Sequence, residues 1–301
     1  MQKAMNNSSS SGQMKLIVLG ASGMLGSKLF QLLRKEKPFI TYGTIRGSRK
    51  ALRPMFYDDE NIIEGVDVLS EEKLKRLFDI VKPDIVINCV GFIKQLLTPL
   101  TTLECIELNA AFPHRLAKLT AQFDAKLIHF STDCVFSGKK GNYKEVDIAD
   151  ARDVYGITKY LGELHDDNTL TLRTSIIGHE ISSSNSLVDW FLSQRGEIKG
   201  YRNAIFSGLP TTEVARVLIE YIIPKNDLNG LYHLSVDPIN KFDLLQLVAK
   251  QYAKEININP SDEVSVDRSL NSSKFKLATN YSHDRWPELI EQMHAEYLSN
   301  I

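Results

Sequence analysis

"LIVLGASGMLGSKLF", residues 16–30, carries an apolar run straight into a turn punctuated by Gly20, Gly23 and Gly26 and then into a segment with apolar residues at helical spacing. A strand that breaks on glycines and restarts as a helix is the opening of a βαβ unit. Glycines there permit the sharp turn and let backbone approach a pyrophosphate at the helix N-terminus, where unpaired amides point outward. On this reading Gly20, Ser22, Gly23, Met24, Leu25 and Gly26 line a dinucleotide. A turn without a ligand would use the same glycines, so the rest of the chain has to decide.

Working outward, short β-branched runs alternate with amphipathic segments. "KLIVL", "FITYGTI", "DIVINCV", "AKLIHF" and "LTLRTSII" read as strands, and "MLGSKLFQLLRKE", "SEEKLKRLFDIV" and "TLECIELNAAFPHRLAKLTAQF" as helices. The expected fold is α/β, a doubly wound parallel sheet. After residue 178 the alternation loosens, with helices expected at 186–195, 211–223, 241–254 and 287–298 and a returning strand in "GLYHLS" at 230–235. The expected organisation is a polar, Ser-rich, disordered extension over 1–13 and a dinucleotide-binding unit over 14–178 and 207–236. A smaller interleaved substrate lobe takes 179–206 and 237–301.

Lys and Arg number 36 against 37 Asp and Glu, so no net field draws nucleic acid or an anionic membrane. The longest apolar runs, such as "DIVINCVGFI" at 84–93, fall short of the roughly 20 residues a membrane span needs. Cys89, Cys105 and Cys134 have no metal-type spacing, and an odd number of cysteines with no leader segment points to reduced thiols in the cytoplasm. No metal site is expected.

A second motif gives the glycines their meaning. "DVYGITKYLGE", residues 153–163, sets Tyr155 and Lys159 one helical turn apart on one face. The glycine turn and this pair, in order and on the expected elements, resemble the extended short-chain dehydrogenase/reductases. A carbonyl that receives hydride leaves an alkoxide needing a proton, and a phenol of ordinary pKa near 10 is a weak donor unless a cation stabilises its phenolate. Lys159 is expected to lower the Tyr155 pKa and to contact the nicotinamide ribose. "HFSTDCVFSG", at 129–138, follows a strand and so falls at the carboxyl edge of the sheet, with Ser131 and Thr132 as candidate hydroxyls. The resemblance implies that Thr132 completes the catalytic set with Tyr155 and Lys159. Cys134 reads as a packing residue.

The loop after the second strand, "YGTIRGSRK", holds Arg46, Arg49 and Lys50 and no acid, which favours NADPH, with NADH as the alternative. Asp67 and Val68 are expected beside the adenine. The resemblance also assigns "NCVG", with Cys89, Val90 and Gly91, to a cofactor wall and Asn109 to the helix behind the site. "STDCVFSGKKGNYKEVDIADARDVYGITKYLGE", "LRTSIIG" and "GLPTTEVARVL" resemble the dTDP-4-dehydrorhamnose reductase branch, which implies reduction of a nucleotide-linked 4-keto-6-deoxysugar for surface polysaccharide and is compatible with a homodimer. Epimerases, dehydratases and a regulatory subunit of methionine adenosyltransferase are the neighbouring readings. Dehydratases of this family carry Asp-Glu after the threonine, whereas this chain has Asp133 and Cys134; the reductases usually have Tyr at the latter position. Ser131, Thr132, Asp133, Cys134, His179, Lys199, Arg202 and Arg268 are the expected substrate contacts, the basic ones because cations suit a diphosphate.

Overall fold

The computed structural model describes residues 12–51, 59–94, 97–181, 184–225 and 227–299; all but the last two positions of the 1–13 extension lie outside these. Strand β1 (Met14–Leu19) shows why the opening apolar run is unbroken. Leu16 and Val18 pack into a core on one side of the sheet, and Ile17 and Leu19 into a second core on the other. A strand covered on both faces has no solvent side to leave polar.

β1 is an interior strand of a seven-stranded sheet with β2 (Phe39–Thr44), β3 (Ile62–Ile63), β4 (Ile85–Asn88), β5 (Lys126–Thr132), β6 (Thr169–Thr174) and a last strand, Gly230–His233. The spatial order is β3, β2, β1, β4, β5, β6 and then Gly230–His233, and every pairing is parallel. The order reverses between β1 and β4, so a crevice opens at their carboxyl ends. Helices α1 (Met24–Leu33), α2 (Glu71–Val81), α3 (Thr102–Ile106), α4 (Phe112–Gln122) and α5 (Val154–Leu161) cover the sheet. α3 and α4 are joined without a break by a π-helical turn, Glu107–Ala111, that contains Asn109.

The remaining elements are β7 (Ile176–Ile177), α6 (Leu187–Ser193), β8 (Glu197–Phe206), β9 (Leu209–Pro210), α7 (Thr211–Val217), β10 (Gly230–His233, already placed in the sheet), β11 (Ile239–Asn240), α8 (Lys241–Gln251), β12 (Asn257–Asp267), α9 (Ser273–Thr279) and α10 (Trp286–Leu298). β8 is flanked by β11, antiparallel, and β12, parallel, in a small separate sheet. β8, β12 and α9 were not anticipated from the sequence.

Candidate active site

The site is built on the carboxyl ends of β1, β4 and β5. Gly20 takes φ +83°, a left-handed conformation that favours glycine, and a Cβ on Gly26 would lie 2.2 Å from the Gly20 carbonyl oxygen. α1 therefore begins hard against the turn. Its N-cap, Gly23, offers no side-chain cap, and no acidic residue occupies its first turn. The positive end of the helix is left for an anion. Ser22 and Gly23 are exposed at this turn, Met24 is half-buried and Leu25 is buried.

The opposing wall is 88–92. Asn88 Oδ1 accepts from Val90 N at 3.0 Å, and Asn109 clamps Phe92 by accepting from its amide at 2.8 Å and donating to its carbonyl at 3.2 Å. A Cβ on Gly20 would meet Val90 at 3.0 Å and the Cys89 carbonyl at 3.4 Å; one on Gly91 would meet Asn109 at 3.2 Å. The cradle is thus narrow, backbone-lined and open to an anion, which fits a dinucleotide. At the end of β2, the basic residues divide. Arg49 is committed to the carbonyls of Asp59 and Ile62, at 3.0 and 2.8 Å, and to Glu64. Arg46 is exposed and makes no hydrogen bond or ion pair among the described residues. Asp67 Oδ1 holds a local turn by accepting from Leu69 N at 3.1 Å, and Val68 packs against the core.

α5 is aimed by its first turn. Asp153 caps it by accepting from Gly156 N at 3.0 Å and pairs with Lys94 at 3.1 Å. Gly156 lies so close to the turn after β5 that a Cβ there would sit 2.3 Å from the Cys134 carbonyl oxygen. This approach sets Tyr155 beside Thr132, whose hydroxyl acts on the phenol. Thr132 Oγ1 also accepts from Cys134 N at 3.1 Å and donates to Asp133 Oδ1 at 3.2 Å.

The electrostatics depart from expectation. Burial pushes the Tyr155 phenol above its ordinary value, and the neighbouring Thr132 hydroxyl only partly offsets this. Lys159 is not among the groups that lower it. The lysine is itself buried and pushed down to about 8, and its ammonium donates to the Phe130 carbonyl at 2.6 Å. Desolvation of the charged forms outweighs the attraction that the Tyr-Lys spacing alone suggests.

The other expected substrate contacts separate into two groups. Asp133 is buried and pushed up by burial, against the opposing pull of Arg268 and Lys241; Arg268 Nε also donates to the Phe136 carbonyl at 2.8 Å. Cys134 is pushed up to about 12 by burial, so its thiol stays protonated near neutrality. Ser131 Oγ donates to buried Glu163 at 2.7 Å. Away from this cluster, His179 is locked between Asp189 (2.5 Å) and the Tyr252 hydroxyl (2.8 Å) and stacked on Tyr297. Lys199 pairs with Glu263 and Arg202 with Asp262, all exposed. No contact among the described residues joins His179, Lys199 or Arg202 to Thr132 or Tyr155.

Lys241, Lys94 and Glu163 went unread in the sequence. Lys241 opens α8, stacks 4.1 Å from the Phe206 ring centroid, and is pushed down to about 8 by burial while facing Asp133 and Cys134. Lys94 acts on the same thiol. Nothing local marks Lys241, which arrives from a distant helix. Glu163 does carry a signal, since it repeats the four-residue spacing of Tyr155 and Lys159.

The chain is 26% identical over 235 residues, 74% of each protein, to dTDP-4-dehydrorhamnose reductase of Aggregatibacter actinomycetemcomitans. It is 28% identical over 149 residues, half of this chain and 41% of the relative, to mouse methionine adenosyltransferase 2 subunit beta. Its fold superposes on the crystal structure of dTDP-4-dehydrorhamnose reductase from Bacillus anthracis, solved with NADP, with a TM-score of 0.76 at 21% identity, covering 94% of this chain and 99% of that one. The model of the RmlD substrate binding domain matches residues 14–298, the strands and helices that build both the glycine cradle and the Thr132–Tyr155–Lys159 cluster, and the chain belongs to that family.

Proposed function

We propose that this protein reduces the 4-keto group of a nucleotide-linked 6-deoxysugar, using NADPH and accepting NADH, in the synthesis of surface polysaccharide. The observation that carries the reading is the meeting of Thr132 with Tyr155 beside Lys159 and the glycine cradle. Residues 14–178 with 207–236 hold the dinucleotide, through Gly20, Ser22, Gly23, Met24, Leu25 and Gly26 at the pyrophosphate, Arg46 at the 2′-phosphate, and Asp67, Val68, Cys89, Val90, Gly91 and Asn109 along its length. NADPH, when bound, supplies the hydride. Residues 179–206 with 237–301 complete the sugar-nucleotide site, where Arg268, together with Lys241, provides cations beside Asp133.

Thr132 holds the substrate oxygen beside the Tyr155 phenol, which gives its proton to the forming alkoxide. The raised pKa keeps that proton on the phenol until a basic alkoxide develops. Lys159 holds the ribose and places positive charge near the reacting oxygen. Elimination would need a further base after Asp133, and the protonated Cys134 thiol does not supply one. The exposed apolar residues Leu103 and Ile106 of α3 and Ile157, Tyr160 and Leu161 of α5 form a face suited to pairing with a second copy. No helix among the described residues is long and apolar enough to cross a membrane, and three free cysteines fit a cytoplasmic setting.

The test is a screen of dTDP-, UDP- and GDP-linked 4-keto-6-deoxysugars, followed by NADPH oxidation and product mass. Stoichiometric oxidation with a gain of two mass units is expected. Isomerisation or water loss alone overturns the reading, and dinucleotide binding without turnover on any ketosugar favours a regulatory subunit instead.

A further inference from the structure

Beneath Tyr155 and Lys159 lies a buried ionic network that the reduction does not directly use. Glu163 lies just beyond the C-cap of α5, four residues after Lys159, and accepts from three donors: Arg173 Nε and Nη2, each at 2.7 Å, and Ser131 Oγ at 2.7 Å. Arg173 and Glu163 side chains are 3% and 1% exposed. Arg173 is held from its other sides by His233 Nε2 at 3.3 Å and by the Phe136 ring at 5.1 Å. His233 Nδ1 lies 3.0 Å from the Tyr143 carbonyl, so the network assigns it the neutral form that donates from Nδ1 and accepts from Arg173. Burial and Arg173 together push His233 down to about 3.

An ion pair this deeply buried costs more in desolvation than an apolar pair of similar volume. Its position explains its presence. Ser131 directly precedes Thr132 on β5, and Lys159, four residues before Glu163 in sequence, lies within reach of its charge. We propose that Glu163 is a positioning residue for the reaction: it fixes the end of β5 through Ser131 and supplies the counter-charge that keeps Lys159 an ammonium. This rests on the reductase reading above.

The other groups facing Lys159 do not replace it. They are the thiols of Cys105 and Cys89, His129 and the Phe130 carbonyl. Burial keeps the Cys89 thiol protonated, and burial with Lys159 itself keeps His129 uncharged. Glu163 is the first group that raises the Lys159 pKa against the burial that brings it to about 8.

The test compares wild type with Glu163→Gln, with Arg173→Gln and with the charge-balanced double variant Glu163→Gln/Arg173→Gln, each checked for folding by thermal melting. Two readouts are taken: the titration of the Lys159 ammonium by heteronuclear NMR, assigned with Lys159→Arg, and the pH profile of kcat/KM. Removing Glu163 is expected to lower the Lys159 titration by about two pH units, as a single charge roughly 5–6 Å away does at an effective dielectric near 20. The alkaline limb of kcat/KM should move by the same amount and direction. An unmoved titration in the folded Glu163→Gln variant overturns the proposal; if that variant does not fold, a double variant that titrates at the same pH as Arg173→Gln overturns it. A titration that moves without the limb following upholds the role of Glu163 and removes Lys159 from the reductase reading, so the two failures are distinct.

Discussion

The Lys159 ammonium donates to the Phe130 carbonyl at 2.6 Å, one residue before the strand delivers Ser131 and two before Thr132. Lysine and threonine are thereby tied to one stretch of β5, and α5 brings Tyr155 to the same Thr132.

Tyr155→Phe should retain the ring and its packing but lose the proton donor. Turnover is expected to fall by about 10²- to 10⁴-fold, the usual worth of general acid catalysis, with the dinucleotide dissociation constant nearly unchanged. Steady-state kinetics beside a fluorescence titration of NADPH checks this. A variant with more than about a tenth of wild-type kcat would remove Tyr155 from the proton-transfer step.

Lys159 gives activity and stability opposite responses to pH. With its pKa at about 8 in the fold and near 10.5 when unfolded, the unfolded chain binds more protons between these values. The lysine's contribution to stability therefore rises with pH across that window, while its ammonium, and the activity that needs it, is lost above about 8. Thermal melts from pH 8 to 10 should show wild type gaining on Lys159→Met. A constant difference between the two would mean that burial does not depress the lysine.

The basic loop after β2 yields a paired prediction. Arg46→Ala should weaken NADPH binding by roughly 10- to 150-fold, the worth of one charge-assisted hydrogen bond, and leave NADH unchanged. Arg49→Ala should instead lower thermal stability, because Arg49 holds the Asp59 and Ile62 carbonyls. Titrations of both dinucleotides with both variants decide it; equal losses for NADPH and NADH in Arg46→Ala would reassign that residue.

Gly156→Ala adds one methyl group where the Cys134 carbonyl leaves 2.3 Å. Backbone has to yield, at a cost of about 1–3 kcal/mol typical of overpacking, and α5 must shift away from Thr132. The expected signature is a lower melting temperature together with a kcat loss greater than any change in dinucleotide affinity. Unchanged kcat in the folded variant would show that the Thr132–Tyr155 approach tolerates this displacement.

The parts of the molecule that could be read in advance are those whose signals are local. β1 was legible because both its faces are buried, and α1 because the glycines mark its start. β8 and β12 hid because their residues are mostly exposed or half-buried and β12 carries Pro260, Asp262 and Glu263, so neither alternates cleanly. Their parallel pairing joins segments well separated along the chain, which no local pattern records. The site divides in the same way. Thr132, Tyr155 and Lys159 sit in compact motifs, whereas the partners of Glu163 and the approach of Lys241 depend on tertiary packing. The expected depression of the Tyr155 pKa failed for a related reason: spacing reports the neighbouring charge but not how far both groups have left water.

The π-helical turn at Glu107–Ala111 works as a phase shifter. Successive residues of an α-helix advance by about 100°, so a single extra residue swings everything beyond it by about that angle. Before the turn, Cys105 faces α5, its sulfur 3.3 Å from the Thr158 hydroxyl. Beyond it, Phe112, Leu116 and Leu119 point into the core under the sheet. One unbroken helix thus meets two partners whose directions a regular winding would not reconcile. The added residue falls where Asn109 grips the Phe92 backbone, so shortening this turn by one position would unhook that grip and turn Phe112 and Leu116 away from the sheet together.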